Sequence, residues 1–172
     1  VLNWNLSVVC QRGVSSCQRG FVKGWGIEEC ILGLESSAAC ASMVNAKTAA
    51  AILFDFRVAF PSLAHDWIYL VLGKIGVPAR WIALVRKLYG RCLCRILFAG
   101  ADCATVEVRS GIKQGCPASG SIFALAADPL IRYMLVEGSL RSARIFAYAG
   151  DLALVTGNLG TQLPKVLGIL AD

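Results

Sequence analysis

The sequence has few charged residues and lacks the residue patterns of a metal-stabilised or disulfide-stabilised protein. Only 16% of its 172 residues are charged, whereas 56% are hydrophobic, and His65 is its single histidine. Although the chain holds eight cysteines, no two of them have the Cys-x-x-Cys spacing. A structural zinc site is therefore not expected, and a chain this long and apolar needs no disulfide framework. We expect free thiols in an intracellular, reducing compartment.

Long uncharged runs, internal repeats and linkers are also missing. The longest run without a charged residue, 114–127, is about 14 residues long, whereas a membrane-spanning helix needs about 18 or more. We therefore expect no membrane partner. The amino terminus lacks the charged-then-apolar layout of a secretory signal, and the first residue is valine. We expect a single partial domain over residues 1–172 that is a piece of a longer product.

Positive charge is concentrated in the middle of the chain. The net charge is +6, and the cations of this middle region are Lys74, Arg80, Arg86, Lys87, Arg91, Arg95, Arg109 and Lys113. Only Asp102 and Glu107 oppose them there. Such a surface suits a nucleic-acid backbone, and the solvated faces of ordinary helices are an equal alternative on charge alone.

Hydrophobic periodicity predicts a mixture of helices and hairpins without regular βαβ alternation. We predict helices over 27–47, 65–75, 78–89 and 119–136 and from Thr161 onward, a strand over 49–56, hairpins over 91–109 and 144–155, and a glycine-containing loop over 110–121. The hairpins imply antiparallel pairing. The expected fold class is therefore α+β, with an antiparallel sheet and helices packed on one face.

Two carboxylates lie at the ends of apolar strands. Asp55 ends the strand "ILFD", and Asp151 follows Gly150 at the predicted tip of the hairpin "RIFAYAGDLALV". Burying a carboxylate costs several kcal/mol unless a cation or donor pairs with it. The pair therefore predicts a shared hard cation such as Mg²⁺. A strand-end cap for Asp55 and a plain solvated hairpin tip for Asp151 are the alternatives.

Four segments carry a family resemblance in their order and spacing. They are QRGFVKG (18–24), LFDFRVAFPSLAHDWI (53–68), SGIKQGCPASGSIFALAADPLIR (110–132) and FAYAGDLALV (146–155). Together they resemble the reverse transcriptases of non-LTR (LINE-type) retrotransposons. The resemblance implies a right-hand polymerase palm over about 49–172, with the edge of the fingers and palm over about 1–48. The thumb and the rest of the fingers are missing from the chain.

The resemblance also implies site residues and partners. Asp55 falls on the aspartate that binds two Mg²⁺ ions, the Phe56 backbone carbonyl helps to hold one ion, and Phe60 falls on the steric gate against a 2′-hydroxyl. The nucleotide and template are expected to contact Phe60, Lys113, Gln114, Gly115 and Tyr148. The implied partners are an RNA template, a DNA primer and deoxynucleotides.

Residue 150 departs from the family pattern. The turn Tyr148-Ala149-Gly150-Asp151 stands where the family has Tyr-Ala-Asp-Asp, so Gly150 replaces a metal-binding aspartate. Strand alternation turns Asp151 to the opposite face from residue 150, so we expect that it does not replace the lost ligand. We predict a catalytically impaired or dead polymerase fragment. The alternatives are a nucleic-acid-binding remnant and a non-functional translated fragment of a decayed retroelement.

Overall fold

A computed structural model describes residues 2–136, 140 and 142–171, and within them the chain is mixed helix and strand. The helices are α1 (Leu2–Gly13), α2 (Ile27–Asn45), α3 (Ala59–Ser62), α4 (His65–Lys74), α5 (Ala79–Tyr89), α6 (Ser119–Val136) and α7 (Leu159–Ala171). The strands are β1 (Ala50–Asp55), β2 (Cys92–Phe98), β3 (Ala101–Val108), β4 (Arg144–Tyr148) and β5 (Asp151–Thr156). The predicted elements are confirmed within about three residues. The sequence patterns did not predict α1 or the short α3.

The three strands that carry the predicted acids form one antiparallel sheet. Its order is β1-β5-β4, so β5 is central although it comes last in the chain. The hairpin β4–β5 turns through Ala149 and Gly150, and β5 begins at Asp151. The prediction that Gly-Asp forms the tip is therefore wrong by one residue. Asp151 is a strand residue, and its side-chain direction is fixed by the pleat.

Each face of this sheet meets different helices. One face packs into an apolar cluster with α6 and α7, in which Met134, Leu154 and Val166 are fully buried. Helix α2 crosses the other face, where Gly33 comes so close to Phe146 that an added Cβ would lie 2.7 Å from its ring. The sheet is thus covered on one face and partly covered on the other. The antiparallel α+β class is confirmed, but helices lie on both faces of the sheet and not on one, because α2 contacts the second face.

A second apolar cluster joins α1, α4, α5 and α6. Leu6, Ile68, Val85 and Ile122 are almost completely buried within it. Helix α6 belongs to both clusters and therefore connects the sheet to the remaining helices. By length and composition alone, α6 is apolar enough to cross a membrane. Because 56% of its residues are buried inside the protein, core packing accounts for the same composition.

The second hairpin, β2–β3, is a two-stranded antiparallel ribbon with largely exposed side chains. Its turn is Ala99-Gly100, in which both residues have positive φ, of 49° and 82°. The turn is therefore shorter than the predicted AGADC segment. Large apolar side chains such as Leu97 and Phe98 are 61% and 76% exposed on the ribbon. The ribbon is a projecting arm and contributes little to either core.

We predict that the cysteines divide sharply by thiol reactivity. All eight are free, and burial raises the pKa of Cys10 from 9.0 to about 12, whereas Cys40, Cys94 and Cys103 are exposed. A thiol-reactive chromophore at pH 8 should label these exposed three first and Cys10 only on global unfolding, because the thiolate is the nucleophile. Rapid labelling of Cys10 in the folded chain would contradict the structure.

The raised pKa of Cys10 also makes the free energy of unfolding depend on pH. Because the pKa of Cys10 is higher in the folded than in the unfolded chain, its contribution to stability is complete below pH 9 and is lost between pH 9 and about 12. Denaturant titrations should show the free energy of unfolding decreasing over this interval. The decrease should be shallower in Cys10→Ala, which serves as the control for other groups that titrate there.

Candidate active site

The sheet register brings three predicted site residues into one row. Asp55 of β1 pairs with Asp151 of β5, and Asp151 pairs on its other side with Tyr148 of β4. Residues directly opposite in antiparallel strands project their side chains to the same face, with Cβ atoms about 4.5–5.5 Å apart. The two carboxylates are therefore neighbours on one face. The expectation that Asp151 does not replace a ligand at residue 150 stays a prediction, since the register shows only that Asp151 shares a face with Asp55.

Burial does not explain why the two acids are together. Asp55 and Asp151 are both exposed, so the cost of burying a carboxylate, which motivated the shared cation, does not arise here. The strand ends are open to solvent at this edge, while Leu152 and Leu154, which follow Asp151 in β5, are buried against the opposite face. The interaction between the two acids is electrostatic. Two like charges lie side by side, and a cation between them would relieve their repulsion.

The oxygen atoms at this sheet edge are of the kind that divalent ions bind. Two carboxylates supply oxygen ligands of the kind that Mg²⁺ prefers, and Mg²⁺ keeps water in its other positions. The carbonyl oxygen of Phe56 accepts a hydrogen bond from the Ala59 amide at 3.1 Å, which leaves one lone pair for a further contact. No group of three or more His, Cys, Asp or Glu side chains occurs among the described residues. These residues fit one hydrated divalent ion, and they do not fit a pair.

Gly150 is not required by the backbone. In the β4–β5 turn the positive φ belongs to Ala149, at 55°, whereas the φ of Gly150 lies outside the left-handed region. A Cβ at position 150 would lie 2.9 Å from the Cβ of Ala59 and meets no other atom that closely. Because the Ala59 Cβ is fixed to the backbone of α3, an L-residue at position 150 requires α3 or the turn to shift. The backbone conformation at position 150 therefore permits the aspartate of the family pattern, but the contact with Ala59 has to be relieved.

The other predicted binding residues gather around α3 and the following loop. The Phe60 ring stacks on Phe123 with centroids 4.3 Å apart, and the Phe60 carbonyl accepts a hydrogen bond from the Ile112 amide at 3.0 Å. Gly111 has a φ of 93°, and its hypothetical Cβ would lie 3.1 Å from the Pro61 backbone. Glycine is thus needed where this loop approaches α3. The loop and Phe60 form one unit.

Three predicted residues, Lys113, Gln114 and Gly115, follow directly in this loop and are exposed. Their exposure leaves them free to contact a ligand. Helix α3 connects the two parts of the site, since Ala59 lies against Gly150 and its neighbour Phe60 contacts the loop. The structure therefore places all the predicted residues in two adjoining groups: the carboxylate row and the loop.

One residue at the site was missed by sequence reasoning. Gln18 is 2% exposed, and its side-chain amide contacts both backbone polar groups of Ala149. The next residue but one, Gly20, comes so close to the same turn that an added Cβ would lie 2.1 Å from the Ala149 nitrogen. The motif QRGFVKG contained both residues, yet its residue types alone gave no indication of their partner.

A cleft of about 310 Å³ lies between α2 and the sheet face that carries the acids. Its walls are mostly apolar, with Ile31 and Leu34 from α2 facing Leu53 and Phe146 from the sheet. The row Tyr148, Asp151 and Asp55 also lines it. The carboxylates are thus placed beside an apolar surface that suits a flat or hydrocarbon group better than a second charge.

The sequence is similar to reverse transcriptases over nearly its whole length. A profile of the family described as "Reverse transcriptase (RNA-dependent DNA polymerase)" matches residues 4–172. The "Transposon TX1 uncharacterized 149 kDa protein" of Xenopus laevis is 26% identical over 113 residues, which cover 61% of this chain and 9% of that protein. The "Retrovirus-related Pol polyprotein from type-1 retrotransposable element R2" of Bradysia coprophila is 27% identical over 115 residues, covering 64% and 13%. The chain spans about a tenth of the length of these relatives.

Solved structures share the fold at low sequence identity. The apo telomerase of Candida tropicalis, truncated from its C-terminal domain, superposes with a TM-score of 0.64 at 15% identity, covering 99% of this chain and 35% of that one. The telomerase of Candida albicans, in complex with a TWJ fragment of telomeric RNA, gives a TM-score of 0.69 at 10% identity, covering 99% and 32%. Identities this low concern the fold alone. The chain has the fold of part of a right-hand polymerase.

We predict that Asp151→Asn raises the stability of the metal-free chain. Removing one of two like charges on paired strands should increase the free energy of unfolding by about 0.2–1 kcal/mol at low ionic strength, and the gain should shrink in salt. Denaturant titrations in chelator at two salt concentrations measure this. Asp102→Asn is the matched control, because Asp102 pairs with Arg95 and its neutralisation should bring no gain. A salt-independent loss of stability in Asp151→Asn would contradict the row geometry.

We also predict that Gly150→Asp folds, at a cost of about 1 kcal/mol from the contact with Ala59. The double variant Gly150→Asp/Ala59→Gly should recover the part of this cost that is steric. Divalent cation should stabilise Gly150→Asp more than the unchanged chain, because the third carboxylate adds both repulsion and an oxygen ligand. Thermal unfolding with and without Mg²⁺ tests both statements, and an unfolded Gly150→Asp chain would refute them.

Proposed function

Because the chain belongs to the reverse transcriptase (RNA-dependent DNA polymerase) family and to its non-LTR retrotransposon class, we propose that it is the palm and adjoining fingers edge of an RNA-directed DNA polymerase. In this proposal residues 49–172 are the palm and residues 1–48 the edge. Its partners are an RNA template, a DNA primer and deoxynucleotides. We further propose that nucleotide transfer by this copy is impaired, because Gly150 stands where the family places a metal-binding aspartate.

The observation that carries this proposal is the row of Tyr148, Asp151 and Asp55 beside Gly150. Paired strands hold two carboxylates at one edge of the sheet, with the open turn position next to them. The loop with Lys113 and Gln114 adjoins through α3. An unrelated α+β domain has no reason to place an acidic pair, a glycine loop and a stacked aromatic around a single turn.

The chain's own residues have distinct proposed roles in the transfer. In this reaction class, bound Mg²⁺ ions stabilise the attacking and leaving oxygens. Asp55 and Asp151 supply the negative charge that would hold a cation at the sheet edge. Phe60 is held by its stack on Phe123 and forms a rigid wall suited to excluding a 2′-hydroxyl. Lys113 is an exposed cation in the loop and is suited to a phosphate contact.

The missing carboxylate limits what these residues can do. Nucleotide transfer depends mainly on positioning the reacting groups and on neutralising charge as it develops. Two exposed carboxylates fit one divalent ion, and no side-chain oxygen is available at residue 150 to share a second. We therefore derive no two-metal step for this chain, and the proposal predicts loss of rate at that point.

A second candidate function, nucleic-acid binding without catalysis, is favoured by the surface of α5. Arg80, Arg86 and Lys87 are exposed there, and none of them forms an ion pair with a carboxylate among the described residues. The Arg86 guanidinium lies 4.3 Å above the Tyr69 ring, and that of Arg80 lies 5.5 Å from Trp81. Cations interleaved with aromatic rings suit a phosphate backbone with adjoining bases.

The decisive experiment restores the carboxylate in a complete polymerase. Residues 4–172 replace the matching segment of an active non-LTR reverse transcriptase, and primer extension on an RNA template is measured with Mg²⁺ or Mn²⁺. The chimaera with Gly150 should be at least ~100-fold slower than its Gly150→Asp form, because removal of one electrostatic contact to the transition state costs rates of this order. Robust extension with Gly150 in place would overturn the proposed impairment.

Controls separate the candidate functions. Asp55→Asn in the restored chimaera should abolish extension, since it removes the remaining partner of the pair. Binding of the chain itself to an RNA–DNA hybrid should weaken steeply with salt if the α5 cations contact phosphates, and Arg86→Gln/Lys87→Gln should reduce the salt slope. Salt-dependent binding together with no extension in either chimaera favours the binding remnant. A chain that neither binds the hybrid nor unfolds cooperatively would favour a non-functional fragment.

A further inference from the structure

We propose that Gln18 is a positioning residue for the active-site turn. Its side-chain amide fixes the backbone of Ala149 and thereby sets where residue 150 stands relative to Asp55. This inference rests on the proposed function, because it concerns the turn whose residue 150 would carry the missing ligand.

The Gln18 amide contacts both backbone polar groups of Ala149. The Ala149 N–H donates a hydrogen bond to Oε1 of Gln18 at 3.0 Å, and Nε2 of Gln18 donates one to the Ala149 carbonyl at 3.3 Å. Oε1 also accepts a hydrogen bond from the Gly20 N–H at 2.9 Å. A carboxamide is the side chain that can both accept from an N–H and donate to a C=O of one residue. An ionised carboxylate has no donor for the Ala149 carbonyl, and a hydroxyl has a single oxygen to serve as both donor and acceptor, whereas the carboxamide has a separate atom for each.

The segment around Gln18 is itself fastened to the sheet. The Arg19 N–H donates to the Ala147 carbonyl at 2.9 Å, and the Ala147 N–H donates to the Cys17 carbonyl at 2.8 Å. Gln18 thus forms a short parallel bridge with Ala147 on the outer edge of β4. These two backbone hydrogen bonds hold the main chain on either side of Gln18. The Gln18 side chain, which we call the Gln18 clamp, therefore reaches the turn from a fixed position.

Burial makes the amide contact strong and specific. Gln18 is 2% exposed, so water cannot readily replace its hydrogen bonds, and an unsatisfied buried amide group is costly. Gly20 completes the enclosure, because any side chain at that position would collide with the Ala149 nitrogen at 2.1 Å. The turn therefore has no room to move toward this edge.

The clamp holds a residue in an unfavourable conformation. Ala149 has a φ of 55°, a left-handed geometry that alanine rarely adopts. Without an external partner the turn could relax by rotating this residue, and the rotation would displace Gly150 and the start of β5. By bonding both polar groups of Ala149, Gln18 selects the geometry in which residue 150 adjoins the row of Asp55 and Asp151.

The test uses the whole 172-residue chain in its Gly150→Asp form, with Mn²⁺ as the probe. Mn²⁺ affinity is measured by electron paramagnetic resonance, and exchange of the Ala149 amide proton is followed by NMR. Gln18→Ala should weaken Mn²⁺ affinity at least ~10-fold, the effect typical of residues that orient metal ligands. It should also accelerate exchange at Ala149 by a similar factor or more.

A matched control is available in Gln162, another buried glutamine. It is 4% exposed and donates to the Ser142 hydroxyl in a different part of the molecule. Gln162→Ala should destabilise the chain yet leave Mn²⁺ affinity and Ala149 exchange within about twofold. Equal effects of the two variants on Mn²⁺ affinity would show that Gln18 acts only through stability, and this would overturn the proposal.

A conservative variant covers the case in which Gln18→Ala does not fold. Gln18→Glu keeps an acceptor for the amides of Ala149 and Gly20 and loses the donor to the Ala149 carbonyl. Its Mn²⁺ affinity should therefore lie between that of the chain with Gln18 and that of Gln18→Ala. Unchanged affinity and exchange in Gln18→Glu would then refute the clamp. If Gly150→Asp binds Mn²⁺ no better than the unchanged chain, the proposed function fails, while Ala149 exchange still decides the role of Gln18.

Discussion

The antiparallel pairing of β1 with β5 in a single register is the constraint on which the site depends. It places Asp55 opposite Asp151 and, on the other face, turns Leu154 into the core against α6 and α7. A slip of one residue would send the acids to the helices and the core residues to solvent. The apolar face therefore fixes the position of the polar one. The hydrophobic packing that stabilises the sheet also aligns its carboxylates.

Local patterns predicted most elements because helices and hairpins depend on nearby residues. The amphipathic period of α5 and the apolar alternation of β4 and β5 lie within short segments, and their bounds were found within a few residues. Helix α1, which was not predicted, has no acidic residue in its first turn to mark its start. The partnership of Asp55 with Asp151 could not be derived, since nothing local specifies which strands pair across almost a hundred residues.

The difference between local patterns and contacts between distant residues also explains which site residues were found. Phe60, Lys113, Gln114 and Tyr148 were identified through a resemblance in motif order, and the structure groups them around α3 and the sheet edge. Gln18 lay within a recognised motif, yet its contact with Ala149 joins residues 131 positions apart. A buried carboxamide gives no signal in composition or periodicity. Only tertiary structure shows which backbone groups it satisfies.

The φ of Gly150 has an evolutionary consequence. Because Ala149 adopts the left-handed conformation in this turn, glycine at position 150 is not needed for a positive φ, and what it avoids is the contact of a side chain with the Ala59 Cβ. Glycine and aspartate codons can differ by a single base, so the change is reversible in one step. In the proposed function, the register of β1 with β5 and the Gln18 contacts with Ala149 would position an aspartate at residue 150. The architecture around this turn is therefore suited to a metal ligand that the present residue does not supply.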